Sequence, residues 1–150
     1  MSAKLPNEQE VRRRVVAYLE RNRLMVVATV ADSTPWAATV FFAYDQNLNL
    51  YFYSREDTRH CREIARNPRV AVAVSHAQHA QNNFVRGVQM TGEARKVSAE
   101  GYAAAYARYR ERFAWADRFS SDHVLYRIAP RQLWCIDEEL LGHFNRVRVV

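Results

Sequence analysis

Residues 54–60, Ser-Arg-Glu-Asp-Thr-Arg-His, collect two hydroxyls, two guanidiniums and an imidazole within seven positions. These are groups that hold a phosphate. Hydroxyls donate single hydrogen bonds, arginine closes on two oxygens at once, and histidine adds a donor and, when protonated, a charge. The run before them, "LNLYFY" (48–53), reads as a buried strand, and "CREIARNP" (61–68) reads as a short helix stopped by Asn67-Pro68. A helix start carries free backbone N–H groups and a partial positive charge. An anion at this junction would therefore meet Ser54, Thr58, Arg59 and His60 together, with Arg55 a further candidate. The competing reading is that Asp57 or Thr58 caps the helix while Arg59 and His60 are solvated. Asp57 suits an anion site only if its carboxylate is engaged elsewhere.

Magnitudes set what else such a site needs. A hydrogen bond to a charged group contributes about 1.5–3 kcal/mol, whereas a micromolar ligand requires about 8 kcal/mol after the costs of association. A phosphate clamp alone holds weakly. A flat apolar ring beside the phosphate would make better use of the adjacent "ATVFFAY" (38–44) and "LYFYS" (50–54).

The elements that must position these groups follow from periodicity. Asn7 with Glu10 forms a capping-box pattern, and Val11, Val15, Tyr18 and Leu19 then fall on one helical face. Strands are predicted over 24–31, 35–44 and 48–54, joined by tight turns, and over 69–76 after the short helix at about 58–66. A long strand over 84–97 is interrupted by Gly87 and Gly92, which mark bulges or bends. A helix over about 98–116 carries Tyr102, Tyr106, Tyr109 and Phe113 as a core-facing stripe. Two closing strands, "HVLYRIA" and "QLWCIDE", are separated by Pro130-Arg131. Six or seven antiparallel strands with few helices predict a mainly β fold, a closed or split barrel, which also removes exposed sheet edges.

The 150 residues fit a single domain spanning 1–150, with 49% apolar and 25% charged residues. No apolar run approaches the ~20 residues of a membrane-spanning helix, and "MSAKLPNEQE" has no apolar leader core, so a cytoplasmic protein is expected. Cys61 and Cys135 lack metal-ligand spacing and read as free thiols. The net charge of +6 is spread over scattered arginines, which makes a nucleic-acid partner an unfavoured reading. His76 and His79 have HxxH spacing but no third ligand nearby, so a polar loop is favoured over a metal site. The arginine-rich outer face of the 98–116 helix is read as solvated rather than RNA-binding. His143 and Arg146, in "LLGHFNRVRVV", fit either a ligand-facing or an exposed tail. No nucleophile motif is present, and no catalytic acid or base can be nominated.

Taken in order, "YFYS", "TRH", "IARNPRVAVAV" and "VRGVQMTGEARKV" resemble the FMN-binding split-barrel proteins of the pyridoxamine 5′-phosphate oxidase-like superfamily, over residue 7 to the C-terminus. Within it, "RGVQ…GE", the Tyr/Arg-Phe helix and a final "LW…D…LG" strand are similar to a small, uncharacterised bacterial branch. The resemblance implies a Greek-key split barrel, a homodimer with FMN at the subunit interface, and oxidoreductase chemistry on a small molecule. It implies that Ala38, Thr39, Val40, Phe41 and Phe42 line the flavin ring largely through backbone, with Tyr53 and Ser54 by the ribityl chain. Thr58, Arg59 and His60 would grip the phosphate, and Arg86, Gly87 and Gln89 would approach from across the barrel or the other subunit. The family often has a basic residue at Ala38 and lysine at His60, and the C-terminal arginine–histidine substrate motif of true pyridoxamine phosphate oxidases is missing. That reaction is therefore not implied. A non-catalytic module for FMN, haem or another cofactor is the alternative.

Overall fold

The computed structural model describes residues 6–76 and 83–150. His79 of the HxxH pair lies outside the described residues. Among those described, no group of three or more His, Cys, Asp or Glu side chains could hold a metal ion, and no helix is long and apolar enough to cross a membrane.

The chain runs α1 (Glu8–Arg21), β1 (Leu24–Ala31), β2 (Thr34–Tyr44), β3 (Leu50–Arg55), α2 (Arg59–Arg66), β4 (Arg69–Ser75) and β5 (Arg86–Lys96). It continues through α3 (Ala99–Arg112), a 3₁₀ segment (Ala114–Phe119), β6 (His123–Asp137), α4 (Glu138–Leu141) and β7 (Arg146–Arg148). The sheet order is β3-β2-β1-β4-β5-β6-β7, and β3 also pairs with β6. Six antiparallel strands thus close into a barrel, with β7 as an extra strand on β6.

Alternation along the strands drives closure. β4 reads exposed–buried without a break from Arg69 to Ser75, so Val70, Val72 and Val74 enter the barrel with Met25, Val27, Phe42, Phe52, Met90 and Ile128. α1 contributes Val11, Val15, Tyr18 and Leu19 to the same core, and its Asn7 side chain accepts from the Glu10 amide at 2.9 Å. A second, smaller apolar cluster lies outside the barrel. There α3 and the 3₁₀ segment bring Tyr109, Phe113 and Ala116 against Ala43, Tyr51 and Tyr53.

The expected two closing strands are one. Pro130 lies within β6, opposite Gly92, where the β5–β6 register shifts between Thr91 and Gly92. A bulge is where a sheet tolerates a residue with no amide proton, so the proline bends the strand without ending it. At Gly87 (φ +149°) a Cβ would lie 2.0 Å from the Val74 carbonyl oxygen, so β4 and β5 can meet there only around a glycine. The helix expected over 98–116 ends at Arg112 and resumes as the 3₁₀ segment. Arg112 itself donates to the carbonyls of Leu19, Asn22 and Phe42, at 2.8, 2.5 and 3.1 Å, tying α3 to the end of α1 and to β2. Burial pulls its guanidinium below the usual arginine range.

Candidate functional site

β2 has two unlike edges. On one it pairs with β1 continuously from Thr34 to Phe41. On the other it pairs with β3 only at Phe42, Ala43 and Tyr44. Beyond Phe42 and Phe52 the two strands part and leave a split. The Phe42 amide donates to the Arg23 carbonyl on the β1 side at 3.0 Å. Antiparallel alternation then turns the amides of Ala38 and Val40 toward β1 and those of Thr39 and Phe41 into the split. Across it, β3 remains paired to β6 through Arg55, so Tyr53 and Ser54 present an open backbone edge as well.

A cavity of about 610 Å³ occupies this split. Thr39, Val40 and Phe41 of β2, Tyr53 and Ser54 of β3, and His60 of α2 line one part of it. Ala38 and Phe42 point the other way, into or against the barrel core. The Tyr53 hydroxyl oxygen is buried beside Tyr102 and Tyr106, and burial raises its pKa to about 12.

The floor of the split is the start of α2. The helix forms because Cys61 and Ile64 bury on its inner face, and it ends at Asn67, whose side-chain amide donates to the Val30 carbonyl at 3.2 Å ahead of Pro68. Its N-cap Thr58 makes no side-chain bond to the first turn; the Thr58 hydroxyl donates instead to the Arg55 carbonyl at 2.8 Å. Asp57 does not cap either, because Arg55 holds its carboxylate through Nε at 3.0 Å and a second nitrogen at 2.5 Å. The objection that Asp57 repels an anion is thereby met: its charge is neutralised and its carboxylate faces solvent.

His60 turns inward. Its Nε2 lies 3.0 Å from Ser54 Oγ and 3.3 Å from Thr58 Oγ1, which converges three polar groups on one point below the split. Burial holds the His60 pKa below its ordinary value, with the Glu63 carboxylate pulling weakly the other way. The Ser54–His60 end of the site is therefore polar, with its imidazole held toward the neutral form.

Arg59 is placed differently. Its Nε donates to Glu63 Oε1 at 3.0 Å and its guanidinium lies 4.2 Å from the centre of the Trp36 ring. Glu63 also accepts from the buried Thr29 hydroxyl, which with Arg59 holds its carboxyl below the usual range. Arg86, Gly87 and Gln89 lie on β5, apart from the split. Arg86 pairs with Asp137 and Glu139, while Gln89 lies on the outer sheet face, 3.5 Å from Arg146. The Arg146 guanidinium lies 5.1 Å from the Trp134 ring centre, so the C-terminal strand folds onto this face rather than trailing as a tail. His143 sits near Glu138, at 3.4 Å.

The remaining wall was not nominated from sequence. Trp115, Arg118 and Phe119 from the 3₁₀ segment, with His123 at the start of β6, complete the cavity. These positions read as the end of a helix and a turn, and only the 3₁₀ break after Arg112 aims them at the split.

A profile of the pyridoxamine 5′-phosphate oxidase family matches residues 11–140. The chain belongs to that family. A UPF0306 protein of Klebsiella pneumoniae (strain 342) is 30% identical over 124 residues, spanning 82% of each chain. Among solved structures, a haem binding protein from Mycobacterium smegmatis superposes with a TM-score of 0.78 at 18% identity, covering 97% of this chain and 59% of that one. An FAD-binding protein from Mesorhizobium loti superposes with a TM-score of 0.66 at 21% identity, covering 87% and 92%. At these identities the structural likeness is one of fold.

Proposed function

We propose that the chain binds FMN in the split between β2 and β3 and acts as a cytoplasmic oxidoreductase on a small molecule. One observation carries the reading: the Thr39 and Phe41 amides, left without a strand partner, adjoin an α2 start whose N-cap leaves its first-turn amides uncapped. A flavin has hydrogen-bonding edges on a flat ring and a phosphate at the end of its side chain. The split offers amides and an apolar wall to the first, and Ser54, Thr58, His60 and the helix N-terminus to the second. Bound there, FMN supplies the hydride chemistry. The chain's own residues orient the ring by backbone contacts, hold the phosphate and exclude water with aromatic side chains. Arg59 stays with Glu63 and Trp36 and adds only a distant positive charge.

The proposed homodimer is supported by the outer sheet face, where Leu24 and Val26 are 47% and 40% exposed beside Ala71 and Ala73. That exposure is what an apolar face covered by a second copy leaves in the single chain. Gln89, Trp134 and Arg146 lie on the same face, so the β5 residues would reach the partner's cofactor rather than their own. Haem is the second reading. It is favoured by His123, whose Nδ1 lies 2.6 Å from the Asp122 carboxylate, an arrangement that leaves Nε2 as a metal ligand.

Visible absorption during titration with FMN and, separately, haemin tests both. A perturbed flavin spectrum that saturates at one FMN per chain, then bleaches with a nicotinamide nucleotide, is expected. A Soret band without flavin binding would replace the first reading with the second.

A further inference from the structure

The cavity has two ends of different chemistry. Ser54 and His60 make one. The other is an aromatic rim in which Phe41 and Trp115 lie 5.3 Å apart, Trp115 and Phe119 5.9 Å, Phe119 and His123 5.0 Å, and His123 and Tyr53 5.1 Å, centre to centre. Phe119 is nevertheless 41% exposed. A 3₁₀ helix brings residues i and i+3 onto one side, so Trp115 and Arg118 share the face that lines the cavity.

This wall is held from behind. Ala116 is fully buried against the outer cluster, and Asp117 is fixed by the Tyr106 hydroxyl at 2.7 Å and by Arg110 Nε at 2.7 Å. Arg118, in contrast, has no ion-pair or hydrogen-bond partner among the described residues. No carboxylate lines the cavity; its ionisable side chains, tyrosine apart, are His60, Arg118 and His123. A rigid aromatic surface with an uncommitted guanidinium matches one class of ligand: a flat ring to stack and an anionic group to pair.

We propose that Trp115, Arg118, Phe119 and His123 form a second subsite that takes a planar aromatic carboxylate, stacked on the rim with its carboxylate on Arg118. It rests on the reading that the β2–β3 split holds FMN, beside which this molecule would be the small-molecule partner.

The test is calorimetric titration of 2-naphthoate and its neutral analogue 2-naphthamide into the full chain, with and without saturating FMN. Saturable naphthoate binding to the FMN-loaded protein is expected, in preference to the amide. Arg118→Gln should weaken naphthoate by about tenfold or more and abolish the preference, the loss of one charge-assisted contact. Phe119→Ala should weaken both probes alike, while Arg108→Gln, outside the cavity, should change neither. If FMN binds and naphthoate does not, or binds Arg118→Gln equally well, the subsite is overturned and the flavin reading stands. If FMN displaces naphthoate competitively, the wall holds the flavin itself and the subsite is likewise overturned. Arg118-dependent naphthoate binding by a chain that binds no FMN would uphold the aromatic-acid site and overturn the flavin reading; binding of neither would overturn both.

Discussion

The two edges of β2 present alternate residues and are used in opposite ways. Toward β1, eight consecutive register pairs run from Thr34 to Phe41 and fix the barrel. Toward β3, only three pairs form, and the strand then stands open beside a helix start that neither Asp57 nor Thr58 caps. An open sheet edge is normally a hazard to be blunted. Here it is enclosed by α2, the 3₁₀ segment and β3, so its amides are protected from other chains yet free for a ligand. Stability belongs to one edge of the strand and the proposed binding site to the other.

Proline substitution separates the edges most sharply. Val40→Pro removes an amide aimed at β1 from a residue that also fills the core, and should cost about 3 kcal/mol or more of folding stability by chemical denaturation. Thr39→Pro removes an amide aimed into the split. It should leave stability within about 1 kcal/mol of wild type while weakening FMN by roughly tenfold, the worth of one lost bond. Equal destabilisation by both would mean that the second edge is not open.

His60 sharpens the contrast further. Burial depresses its pKa in the free protein, and a bound phosphate dianion favours its charged form, so binding takes up a proton. FMN affinity should therefore rise as pH falls from 8 until the phosphate itself protonates near about 6, whereas riboflavin, lacking the phosphate, should show no such slope. His60→Lys should remove the slope and tighten FMN at pH 8. Without ligand the sign reverses: a histidine with a depressed folded pKa contributes stability above about pH 6.5 that is lost on acidification. Thermal scans at pH 5 and 8 check this.

The smallest effect is expected at Arg59. Because it is 41% exposed and committed to Glu63 and Trp36, Arg59→Ala should weaken FMN by less than about 1 kcal/mol. A loss of about 1.5–3 kcal/mol would mean that Arg59 leaves Glu63 to hold the phosphate directly.

What the sequence made legible was local. Alternation in "RVAVAVS" and the Gly92 bend gave strands and bulge, and the hydroxyl–imidazole cluster at 54–60 was readable as a junction because strand and helix signals flank it directly. The rest depended on chain separation. That Asp57 is silenced by Arg55, that His60 turns in and Arg59 turns out, and that Pro130 bends rather than ends β6 are all set by tertiary neighbours. The aromatic wall was hidden for the same reason. Trp115 falls at the end of the helix expected over 98–116 and Phe119 in the turn beyond it, and only the break after Arg112, whose guanidinium is pinned to four carbonyls of α1, its C-cap and β2, turns them toward the split.

Amide hydrogen exchange, resolved by residue with and without FMN, tests the central claim most directly. Thr39 and Phe41 should exchange quickly in the free protein and become strongly protected on binding, while Val40, already laddered to β1, is protected in both states. Protection of Thr39 and Phe41 that does not change with FMN would contradict the assignment of the open edge of β2 as the binding site.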